Sequence, residues 1–193
     1  MSQARARRVV LVVGIVYLAF QVMNALWVGT SLPTSTIQRF DDSLIFDRMS
    51  QSSWWSSDLW SGLYPFTYPA VTKLIGTGRA LYAVQVGAAT LAWLWLGWEV
   101  SRSAKQPWLS IAGACWILGL SLASEVAVWH QVVMTESLSS TGLVSLVALA
   151  LAVARTGSRT VAYLAIPLSI LWMELRVSNL VLVLGFAIVT ALR

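Results

Sequence analysis

The residues most able to do chemistry are an adjacent carboxylate pair, Asp41-Asp42, in the segment Arg39-Phe40-Asp41-Asp42-Ser43. A general base must bring a carboxylate within hydrogen-bond reach of a hydroxyl. A neighbouring carboxylate can orient a sugar or ligate a hard cation through oxygen. The same pair suits the start of a helix near Ser43, because Asp is a favoured N-cap; the two readings stand equal on the pair alone. A second group lies far along the chain. Arg176 carries a permanently charged fork suited to phosphate, and the alternative for it is a salt bridge to Glu174 or Glu136. Glu136, in Met134-Thr135-Glu136-Ser137-Leu138, serves equally as a helix-start acid or as a cavity residue. His130 is the only histidine and reads as a hydrogen-bonding residue, since a metal site needs further ligands. Lys73, next to a Pro-containing stretch, and Asn179, near Arg176, complete the set of candidate binding residues.

These residues need elements to position them, and the composition says which kind. The chain of 193 residues is 58% hydrophobic and only 11% charged, with a mean hydropathy of +0.72. Soluble domains carry about 25% charged residues, so an all-α, polytopic membrane helical bundle is expected. Six apolar runs mark spans at about 9–28, 79–99, 108–128, 137–154, 160–174 and 178–192, all in a single transmembrane domain covering 1–193. The first is too long for a cleaved signal peptide and reads as an anchor. Between the first two lies a polar loop, 29–78. It is far longer than the roughly 12–15 residues above which structureless connections become uncommon. Short interfacial helices are expected in it at Ser43–Met49 and Trp54–Leu63, with tryptophans at headgroup level. The single cysteine, Cys115, excludes an intrachain disulfide and a cysteine-based metal cluster.

The net charge of +5 does not indicate nucleic acid, because the basic residues are spread over short connections. With the N-terminus cytoplasmic, the inner side holds Arg5, Arg7, Arg8, Arg102, Lys105, Arg155, Arg159 and Arg193 against Glu99 alone. The outer side holds Arg39, Arg48, Lys73, Arg79 and Arg176 against the seven remaining acids. That asymmetry satisfies the positive-inside rule, with both termini cytoplasmic and the 29–78 loop outside. The Glu125–Glu136 and Glu174–Asn179 junctions are then polar hairpin tips on the same side as the loop. Ionisable groups at such depth face a bundle interior or wet cavity and pair with one another.

The order of these features resembles the GT-C superfamily of integral membrane glycosyltransferases. The residues that carry the resemblance are Phe40-Asp41-Asp42-Ser43 in the first external loop and the Tyr-Pro pairs Tyr64-Pro65 and Tyr68-Pro69. They are followed by Trp129-His130, by Thr135-Glu136-Ser137-Leu138 and by Arg176-Val177-Ser178-Asn179. The resemblance implies transfer of a sugar from a polyprenyl-phosphate donor to a glycan or lipid acceptor at the outer face of a bacterial plasma membrane. It further implies Asp41 or Asp42 as general base, and Arg176, with Lys73 or His130, facing the departing phosphate. Some family members hold a divalent cation (Mg2+ or Mn2+) near the first-loop acids and others do not. Members of the family have eight or more spans, so a partner membrane subunit completing this chain is one expectation. The alternative to an enzyme is a non-catalytic subunit or transporter-like protein handling a lipid-linked substrate.

Overall fold

The computed structural model describes residues 1–31, 41–60, 66–176, 178, 179, 181 and 183. Among these the regular elements are helical: α1 (Gln3–Ser31), α2 (Asp41–Gln51), α3 (Ser57–Trp60), α4 (Thr67–Ile75), α5 (Arg79–Ser103), α6 (Pro107–Ser121), α7 (Ser124–Ala127), a 3-10 turn (Val128–Gln131), α8 (Glu136–Thr156), α9 (Arg159–Tyr163) and α10 (Ala165–Met173). Among the described residues three helices are long and apolar enough to cross a membrane: Gln3–Val28 within α1, all of α5, and all of α8. They contain the expected spans at 9–28, 79–99 and 137–154. The apolar side chains of α1 point largely outward, with Val16 63% and Met23 70% exposed, as a lipid-facing helix requires.

Two expected spans differ from the observed elements. The run at 108–128 is two helical pieces, α6 and α7 with its 3-10 turn, bent by 54°. Ala123 is extended there (φ −59°, ψ 140°), which interrupts the i→i−4 ladder without any Gly or Pro. The run at 160–174 is divided into α9 and α10 at Leu164. Pro167 accounts for the division, because it has no N–H to offer the carbonyl of Tyr163. The sixth run, 178–192, lies almost wholly outside the described residues.

Hydrogen bonds and packing fix the helix directions. Gln3 Nε2 at the start of α1 donates to the Lys105 carbonyl beyond the end of α5 (2.6 Å). At the other end Val28 packs on Tyr82 and Val86, so α1 and α5 are antiparallel. Glu99 and Arg155 join the last turns of α5 and α8, and Ala92 and Leu96 pack against Val144 and Ala148. Those two helices are therefore parallel. The end shared by the start of α1 and the last turns of α5 and α8 carries Arg5, Arg7, Arg8, Arg102, Lys105, Arg155 and Arg159 in the sequence. The candidate site residues gather at the opposite end.

The loop contributes α2, α3 and α4. α2 and α3 fall close to the expected interfacial helices; α4 falls on the Tyr-Pro stretch, where no helix was expected. Pro69 is the third residue of α4, in the first turn, where its missing N–H would have no intrahelical partner anyway. Phe46 of α2, Tyr68 of α4, Leu81, Val133, Trp172 and Leu175 make one buried apolar cluster. Phe46 meets Tyr68 edge to face at 4.8 Å between ring centres, a preferred aromatic geometry. This cluster pins the loop onto the bundle.

Candidate functional site

Above that cluster three segments are sewn together by polar contacts. Ser43 Oγ, in the first turn of α2, donates to the Val133 carbonyl at 2.7 Å and is fully buried. The Thr67 amide at the start of α4 donates to the Glu174 carbonyl (3.2 Å). Gln85 Nε2, from α5, reaches both the Tyr68 hydroxyl (3.3 Å) and the Val132 carbonyl (3.4 Å). The opening turn of α2 is thus held against the segment 132–136, and α4 against the tip that follows α10. Burial pushes the Tyr68 hydroxyl well above the ordinary phenol value. The Gln85 hydrogen bond opposes that shift, and the Glu136 and Asp47 carboxylates reinforce it. Tyr68 therefore stays protonated.

The charged centre of this end is an ion pair. Arg176 Nη1 lies 3.0 Å from Glu136 Oε1, with the Arg176 side chain 49% exposed and that of Glu136 17% exposed. Between the two partners considered for Arg176, the structure selects Glu136. Glu136 is the first residue of α8, where the helix dipole also favours a carboxylate. The two hairpin tips, 40 residues apart in sequence, meet here. Arg176 remains open enough on one side to meet a further anion.

The remaining candidates are distributed as follows. The helix expected to begin near Ser43 begins at Asp41. Asp41 and Asp42 therefore lie in its first turn, favourable for acids, and their side chains lie outside the described set. Arg39 and Phe40 lie outside the described residues altogether. His130 is buried, with Nδ1 2.7 Å from Ser137 Oγ. Lys73 Nζ donates to the carbonyls of Ser50 (3.0 Å) and Ser52, and stands 5.2 Å from the Trp54 ring centre. It therefore ties α4 to the end of α2. Asn179 is 4% exposed and donates to the Trp172 carbonyl (2.9 Å) and to Ser139 Oγ (2.8 Å). It holds the end of α10 to α8.

Two contacts were not legible from the residues alone. The first is the Tyr68–Gln85–Val132 node. Its one signal was a glutamine inside an apolar span, which implies burial against protein. The second is Glu99–Arg155, a two-bond pair (Nε–Oε2 2.9 Å, Nη2–Oε1 3.1 Å); each charge read simply as a span-end charge. Among the described residues no three of His, Cys, Asp and Glu gather as a cation-binding set, and the carboxyl groups of Asp41 and Asp42 lie outside those residues. The chain matches no protein-family model, no curated protein and no solved structure.

Proposed function

We propose that the chain is a membrane glycosyltransferase of GT-C type, moving a sugar from a polyprenyl-phosphate donor to a glycan or lipid acceptor. The observation that carries this reading is the docking of the α2 opening turn, through Ser43 on Val133, three residues from Glu136 and its partner Arg176. It brings the helix turn that bears Asp41 and Asp42 to the same end of an apolar bundle as a half-exposed guanidinium. In the reaction, Asp41 or Asp42 takes the proton of the acceptor hydroxyl. The resulting oxygen attacks the anomeric carbon as the bond from that carbon to the phosphate oxygen breaks. The electron pair leaves with the polyprenyl phosphate, whose added negative charge Arg176 balances. A divalent cation beside the first-loop acids would supply further charge neutralisation of the same phosphate.

In this reading the bundle sits in a bacterial plasma membrane with its arginine-rich end cytoplasmic. The site faces outward, and a partner membrane subunit supplies donor or acceptor contacts. The test is sugar transfer from a radiolabelled polyprenyl-phosphate sugar in membranes bearing wild type, Asp41→Asn, Asp42→Asn or Arg176→Gln. Loss of a general base is expected to cost about 10²–10⁴-fold in one of the two Asp variants. Unchanged transfer in both removes the catalytic assignment.

A second reading is a non-catalytic subunit or transporter-like protein handling a lipid-linked substrate. It is favoured by the engagement of Lys73, His130 and Asn179 in internal hydrogen bonds. It predicts no transfer by the wild-type chain, with or without added donor.

A further inference from the structure

The end opposite the candidate site gathers charge of one sign. Gln3 ties the start of α1 to the connection between α5 and α6, and Glu99–Arg155 ties the end of α5 to the end of α8. Six cations of these segments are exposed: Arg5, Arg7, Arg8, Arg102, Lys105 and Arg159. The carboxylate among them, Glu99, is buried and already neutralised by Arg155. None of the six has a carboxylate partner among the described residues.

Depth decides what this face meets. Gln3 and Lys105 are level, so Arg5 to Arg8 lie roughly 3–8 Å along α1 from that level. Arg102 is one turn before Lys105, near the end of α5. These charges share a layer about as deep as the Debye length of roughly 8 Å, so they act together. Trp98 and Trp108 mark the layer as the headgroup region, where amphipathic rings settle. Trp108 is 60% exposed and turns its indole N–H to Gln106 Oε1 (2.6 Å). The Arg102 guanidinium stands 5.9 Å from the Trp98 ring centre. It leans back along α5, as long helical side chains do, and so toward the bilayer. There it is presented to phosphates lying beside the helix, not to a polyanion arriving from water.

We infer that this face selectively binds anionic phospholipid headgroups, such as phosphatidylglycerol, in the leaflet that meets it. The guanidinium groups and the Lys105 ammonium take the phosphates, and the two tryptophans set the depth. This selectivity belongs to the folded chain and is separate from the charge rule that orients spans during insertion. It holds whether or not the chain transfers sugar.

The test is electron spin resonance of spin-labelled phosphatidylglycerol or phosphatidylcholine in phosphatidylcholine proteoliposomes of the full chain. Wild type is expected to prefer the anionic label about fivefold, the factor that one cation near an anionic surface contributes. The preference should vanish in about 1 M NaCl, where the screening length falls to roughly 3 Å. Arg102→Gln should weaken it. Arg48→Gln removes the same charge from an exposed site on α2, at the opposite end, and should leave it unchanged. The triple variant Arg5→Gln, Arg7→Gln, Arg8→Gln should bring it close to parity. If that variant inserts wrongly, Arg102→Gln combined with Lys105→Gln takes its place. Equal losses for Arg48→Gln and Arg102→Gln would reduce the effect to net charge and overturn the inference. An undiminished preference in a correctly inserted triple variant overturns it as well; loss of poly(U) binding by that same variant would assign the face to nucleic acid.

Discussion

Breaking the Glu99–Arg155 pair from either side should give unequal losses, and the inequality follows from burial. The Glu99 side chain is 5% exposed and that of Arg155 22% exposed. Arg155→Met leaves a nearly enclosed carboxylate with neither of its two charged hydrogen bonds. Removing one partner of a buried pair costs about 3–5 kcal/mol. Glu99→Gln keeps an acceptor oxygen within reach of Arg155. It also leaves a long side chain able to extend its charge toward water, so its cost should be nearer about 1–3 kcal/mol. The double variant carries no unpaired charge. Its loss should fall short of the sum of the singles by at least about 1 kcal/mol, within the range seen for residues in contact. Reversible unfolding in mixed micelles of rising dodecyl sulfate fraction, followed by tryptophan fluorescence, gives all three values. Additive losses, or a larger loss for Glu99→Gln than for Arg155→Met, would refute the reasoning and with it the latch between α5 and α8.

Three further outcomes can be read in the same unfolding assay. Asn179→Ala removes the donor to the Trp172 carbonyl and the contact with Ser139; it should cost about 1–3 kcal/mol. Gly142→Ala ought to gain up to about 1 kcal/mol from helix propensity alone. Its Cβ would instead lie 2.5 Å from Trp172 Cδ1, and the indole is held by its bond to the Ser139 carbonyl (2.7 Å). A net loss of about 1–3 kcal/mol is expected from such overpacking, whereas Gly119→Ala, with nothing within 4 Å of its Cβ, should be neutral or stabilising.

The helices of greatest length and apolarity were legible because bilayer thickness imposes a strong pattern on sequence. The grouping of the loop with two hairpin tips was legible from charge placement, and the Glu136–Arg176 contact was one of two pairings that the residues allowed. The break at Ala123 was not, because the apolar run resumes at Val126–Val128 beyond Ser124-Glu125 and no Pro marks the join. α4 was not expected, because two prolines in five residues argue against a helix, and only the helix start at Thr67 renders Pro69 harmless. Glu99–Arg155 escaped because 56 residues separate two charges that each had a sufficient local explanation. The side chains of Asp41 and Asp42, on which the chemistry turns, lie outside the described residues.

The parallel setting of α5 and α8 has a consequence of parity. Wherever both cross a bilayer, the chain between them must cross an odd number of times in the opposite sense. Only Pro107–Gln131 is available to do so, despite its 54° bend. By the same rule the loop between antiparallel α1 and α5 makes no net crossing, which keeps α2, α3 and α4 on one face. Arg159 follows the Glu99–Arg155 end of α8, and Arg176 meets Glu136 at the other. The 15 residues Arg159–Met173 must therefore climb back over nearly the height of α8. At about 1.5 Å per residue they supply roughly 22 Å, less than a bilayer core of about 30 Å. The membrane beside α9 and α10 must thin, or the Arg176 tip must sit below its surface.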